Sequence, residues 1–162
     1  SAPGAIAAAA DLLTRFRAAG LPVVHVQHHD PNPASGFRAE KPTGAPIPEV
    51  APLPGEAMVV KTTSSAFAAP GMVGALQGAR DLVVVGAALN YCVSSTLRSA
   101  ADLGYRPRLV TDAVFCFGAE FGGQELSAAT VAAVTLAGIG DFADLVSLKD
   151  LDVLDVPRPD QG

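Results

Sequence analysis

The chain has no tryptophan, only two cysteines, and no apolar stretch reaching the roughly 18 residues that a membrane-spanning helix needs. Each scarcity excludes something. Cys92 and Cys116 make no disulfide framework, so a reduced, cytoplasmic setting is expected. No basic stretch leads into a short apolar one in the manner of a secretion signal. Basic residues number 11 against 16 acidic ones and are scattered, and this net charge of −5 leaves no footprint for nucleic acid. Neither GxGxxG nor GxxxxGK[ST] occurs, which removes the phosphate loop a flavodoxin-like nucleotide-binding domain would use. What is present is apolar: 49% of residues are hydrophobic and 17% charged, a globular composition. The length predicts one domain over residues 1–162, with residues 152–162 as a tail.

Apolar periodicity sets out the elements. Ile6, Ala9, Leu13 and Phe16 share one face of a helix over about residues 4–19, stopped by Gly20. A strand is expected from Leu21 to Val26, then a proline-rich loop over residues 30–55 of the length usually kept for function. A short strand from Ala57 to Val60 ends at Lys61, and a short helix covers Gly71 to Ala79. Asp81–Val85 and Pro107–Thr111 read as strands, Ser127–Ala137 as a helix and Asp144–Leu148 as a last strand. This alternation predicts an α/β fold, a three-layer α/β/α sandwich around a mostly parallel, doubly wound sheet. Sites in such sheets form beyond the carboxyl ends of the strands.

Three features fall at such ends: the segment after Val26, Lys61, and an elbow around Cys92. There the apolar strand breaks at Gly86–Asn90, and Val93, Leu97, Ala100 and Ala101 then recur at helical spacing. Cys92 is thus expected in the first turn of a helix, where unpaired N–H groups favour thiolate over thiol and can hold an oxyanion. A small buried cysteine packing a helix start is the plain alternative. Cys116, among Val114, Phe115 and Phe117, reads as packing.

With these blocks in place, the chain resembles the isochorismatase-like cysteine hydrolase superfamily, whose members include nicotinamidases and N-carbamoylsarcosine and ureidoacrylate amidohydrolases. The resemblance rests on Gly86-Ala87-Ala88-Leu89-Asn90-Tyr91-Cys92-Val93, on Val59-Val60-Lys61 with Ser65-Ala66-Phe67, and on Leu109 to Val114. It implies Cys92 as nucleophile, Lys61 as the nearby positive charge, and a cis peptide at Ala87–Ala88. The backbone N–H groups of Ala88 and Cys92 would then form an oxyanion hole. Phe67, Asn90, Tyr91 and Phe115 are candidate substrate-binding residues. The implied activity is hydrolysis of a small amide, ureide or carbamoyl compound through a thioester on Cys92. The partners are a small-molecule substrate and a second copy in a homodimer or homotetramer, with no cofactor, nucleic acid or membrane.

Departures from the pattern matter. Leu89 stands where the family carries threonine. The family's aspartate, which ends a first strand upstream of the first helix, has no counterpart before Lys61, since Asp11 lies on the helix and Asp30 follows the next strand. The first, central strand is therefore expected to be missing, the sequence to be an incomplete frame (it begins with Ser1), and the chain as given to turn over little or nothing. Two other readings stay open: an isochorismatase-type vinyl-ether hydrolysis, and a non-catalytic scaffold that has lost the aspartate. His25, His28, His29 and Asp30 form a tempting cluster, but the Asp-x-His segment of the metal-binding relatives is lacking and no metal is assigned. His28 or His29 faces the pocket mouth or solvent.

Overall fold

A computed structural model describes residues 2–158, and four helices and seven strands run through them. Helix α1 (Ala2–Ala18) is rich in alanine, the best helix former, and carries an Asp11–Arg15 pair one turn apart. Strand β1 (Val24–His28) pairs in parallel with β2 (Ala57–Lys61), and α2 (Met72–Ala75) follows. Strand β3 (Asp81–Ala87) pairs in parallel with β4 (Arg106–Phe115), which pairs in parallel with β7 (Asp144–Val146). Helix α3 (Ser94–Asp102) joins β3 to β4, and α4 (Ala128–Ala137) precedes β7.

Strand β4 shows why the architecture has three layers. Successive side chains on a strand point to opposite faces, and Leu109 and Val110 are both at 0% exposure. Leu109 packs with Leu89, Val93, Leu97 and Ile139, on the side of α3 and α4. Val110 packs with Leu12 of α1 and Leu151 on the other. Asp112, farther along β4, accepts from Leu148 N–H at 2.6 Å and ties down the segment after β7.

The strands do not form one ladder. Among the described residues β1 pairs only with β2, and β3 only with β4. Between β1 and β3 runs an apolar groove with Val24 and Val26 on one wall, Val83 and Val85 on the other, and Phe16 of α1 reaching into it. It holds two cavities of about 240 and 270 Å³.

Several boundaries differ from the sequence reading. The first strand begins at Val24 rather than Leu21, because Leu21 N–H still closes the end of α1 onto Phe16 O and Pro22 has no N–H to give a ladder. An antiparallel hairpin, β5 (Ala119–Phe121) and β6 (Gln124–Leu126), occupies what read as loop. Its signal was Gly122-Gly123, both at positive φ (60° and 78°), the requirement of a two-residue hairpin turn. The expected tail packs instead: Asp152 caps a turn over Val153–Asp155, and Val156 is buried. The end of that tail, residues 159–162, lies outside the described residues.

The long loop is fastened by Glu56. Its carboxylate accepts from Arg17 Nε and Nη2 at 2.7 and 2.8 Å and from Leu53 N–H at 2.8 Å, and it meets His25 Nε2 at 2.8 Å. The Arg17 hydrogen bonds, helped by Leu53 N–H and His25, hold the carboxyl at about 2, below its ordinary 4.5, against the opposing effect of burial. A depressed carboxylate stabilises the fold above its unfolded value and loses that contribution as pH falls through its folded value. Glu56→Gln should therefore be less stable than the parent at pH 7, with the gap closing between pH 4.5 and about 2 in acid-titrated urea melts.

Candidate active site

The elbow after β3 is built from local backbone devices. The β3–β4 register shifts between Val84 and Gly86, and Gly86 sits at φ 123°, a conformation that side chains disfavour. The Ala87–Ala88 peptide is cis, at the bond the family pattern indicates. The chain then winds as a π turn over Leu89–Val93, with Val93 N–H donating to Ala88 O at 3.2 Å, before tightening into α3. Cys92 is thus in a wide turn that precedes the helix rather than in its first α turn. Such π segments concentrate at functional sites. Leu89, in the family's threonine position, is fully buried in the apolar core.

Lys61 ends β2 and is 4% exposed, the one buried charged side chain among the described residues. Its Nζ lies 2.7 Å from Thr63 O, 3.1 Å from Cys92 Sγ and 3.3 Å from His28 Nδ1. Among the described residues no carboxylate lies within 4.0 Å of it. Burying an ammonium without an anion is costly, and its close neighbours here are a carbonyl oxygen, the Cys92 sulfur and an imidazole nitrogen.

Cys92 and Ala88 open into a cavity of about 590 Å³ with Phe37, Tyr91, Phe115 and Phe117 on its walls. His28 and Asp30 also line it. Of the expected substrate-binding residues, Tyr91 and Phe115 are among those lining this cavity. Phe67 is not: Ser65 Oγ accepts from Phe67 N–H, and the turn directs the ring onto Tyr105, 4.9 Å between centroids, within the core. Asn90 also misses the cavity lining, and its Oδ1 is buried without a partner. The histidine cluster is separated, with His25 turned to Glu56 and His28 to Lys61. Cys116 packs against the core, donates to Ala128 O at 3.4 Å, and has its thiol pushed up by burial.

Thr63, Phe37 and the His28 contact were missed from sequence. The one available signal was register: on parallel strands that begin together, His28 is the residue opposite Lys61.

The three-layer α/β fold thus brings Lys61 and Cys92 together at a strand-to-helix elbow. The isochorismatase domain family matches residues 1–138, and the chain belongs to that family of hydrolases. The secreted isochorismatase effector Isc1 of Verticillium dahliae is 35% identical over 147 residues, 87% of this chain and 74% of that protein. Ureidoacrylate amidohydrolase RutB of Agrobacterium fabrum is 36% identical over 108 residues, 62% of this chain and 46% of that protein. The crystal structure of an isochorismatase-family protein from Chromobacterium violaceum superposes with a TM-score of 0.87 at 36% identity, covering 93% of this chain and 80% of the other. No helix among the described residues is long and apolar enough to cross a membrane.

Proposed function

We propose that the chain is an amidohydrolase domain acting on a small amide, ureide or carbamoyl compound through a thioester on Cys92. The observation that carries this is the 3.1 Å contact between a buried ammonium and the cysteine sulfur at a cavity wall. Cys92 thiolate attacks the substrate carbonyl, forming the C–S bond while the carbonyl π electrons pass to oxygen. The N–H groups of Ala88 and Cys92 are the proposed donors to that oxyanion. Collapse breaks the C–N bond, and the leaving nitrogen takes a proton. Water then adds to the thioester, the C–S bond breaks, and the thiolate returns.

The leaving nitrogen of an amide needs a proton donor, and no carboxylate of the described residues stands within ion-pair reach of Lys61. An aspartate supplied at the end of a central strand, as the family resemblance implies, is the proposed group. The two half-reactions can be separated with p-nitrophenyl acetate, whose leaving group departs without a proton. Mass spectrometry of the treated chain should find one acetyl group, on Cys92, while simple amides are turned over negligibly. An acetyl group on Cys116, or none at all, would end the thioester reading. The name of the RutB relative favours a ureide-type C–N bond over a vinyl ether.

A further inference from the structure

An ammonium carries three N–H bonds and no lone pair. Lys61 Nζ has three close polar neighbours: the Thr63 carbonyl oxygen, Cys92 Sγ and His28 Nδ1, at 2.7, 3.1 and 3.3 Å. All three protons are used only if every neighbour accepts. The carbonyl always does. The sulfur accepts best as thiolate, and the imidazole accepts at Nδ1 only when its proton is on Nε2. We propose that His28 is a positioning residue, locked as the neutral Nε2–H tautomer, whose Nδ1 lone pair aims the Lys61 ammonium at Cys92.

The surroundings favour that state. His28 stands opposite Lys61 in the β1–β2 register, so the backbone itself sets the two side chains next to each other. Its ring meets the Phe37 ring edge-on, 5.5 Å between centroids, which fixes the imidazole plane. Burial, then the Lys61 charge, then His29 resist protonation of His28, while Asp30 and the Thr63 carbonyl favour it, and the net direction is downward. A proton on Nδ1 would set an N–H against an ammonium with no acceptor between them. Losing the acceptor would release the Lys61 side chain to other rotamers and weaken its hold on the sulfur.

The inference concerns the same site as the amidohydrolase reading but does not need turnover, so the two fail separately. Long-range proton–nitrogen NMR on the labelled chain should show His28 at pH 7 with Nε2 protonated and Nδ1 as an acceptor. Lys61→Met should move the His28 midpoint up toward the ordinary histidine value, because one of the causes of its depression is removed. Iodoacetamide alkylation of Cys92 at pH 7 should slow about fivefold in His28→Phe, the factor expected for one lost hydrogen bond. His28→Gln, which keeps an acceptor, should recover most of the rate. A proton on Nδ1 donated to Thr63 O, an imidazolium at pH 7, or equal slowing in both variants would overturn the proposal. The tautomer measurement uses the unaltered chain and is independent of how the variants fold.

Discussion

Lys61→Met is expected to slow alkylation of Cys92 at neutral pH by about tenfold or more while leaving the fold as stable as before, or more so. The two effects share one cause. Opposite unit charges about 3 Å apart attract by roughly 5 kcal/mol at an effective dielectric near 20. A helix terminus contributes about 0.3–1 kcal/mol at most such positions, so the ammonium is the larger electrostatic influence at the sulfur. Tenfold requires that only about 1.4 kcal/mol of that attraction survive the cost of desolvating both groups. That desolvation cost is also why stability should not suffer. A methionine of similar length fills the same 4%-exposed site without an ammonium to strip of water. Urea melts beside iodoacetamide kinetics measure both halves. Unchanged alkylation would show that the contact does not activate the sulfur, and with it the proposed chemistry would lose its carrier.

The ends of the strands were legible because their apolar runs stop abruptly, at Lys61 and at Gly86. That places both active-site residues beyond strand carboxyl ends, but spacing alone does not bring them together. The two residues are 31 positions apart and sit on separately paired strands, so their meeting depends on how those strands dock, which is tertiary information. His28 lines the cavity, as one of the two sequence readings had it, but its contact with Lys61 was missed. Strand β1 runs two residues past its last valine, which delivers His28 level with Lys61. Phe67 failed for another reason: a serine cap, too local to register as periodicity, turned its ring into the core. The π turn left no mark that distinguishes it from an ordinary helix start, because Leu89 and Val93 satisfy both patterns.

Leu109→Ala should destabilise the chain by about 3 kcal/mol, within the 2–5 kcal/mol usual for large-to-small core changes. Leu109 is at 0% exposure in the strand that both β3 and β7 pair with, and it shares a core cluster with the first and last residues of the π turn, Leu89 and Val93. The lost methyl groups therefore leave a void beneath the elbow that carries Cys92. Leu145→Ala, on the neighbouring strand but 41% exposed, should cost less than about 1 kcal/mol. Chemical denaturation of the pair measures the contrast, and equal losses would mean that the interior does not centre on β4.

Among the described residues no ladder hydrogen bond crosses the groove, so the parallel strands form two separately paired sets. Lys61 belongs to one and Cys92 to the other, stitched nearby by Ser65 Oγ to Ser99 Oγ at 2.9 Å and Ala66 N–H to Thr96 Oγ1 at 3.0 Å. The 3.1 Å contact between Lys61 Nζ and Cys92 Sγ thus spans the two paired sets, and its length depends on how they dock.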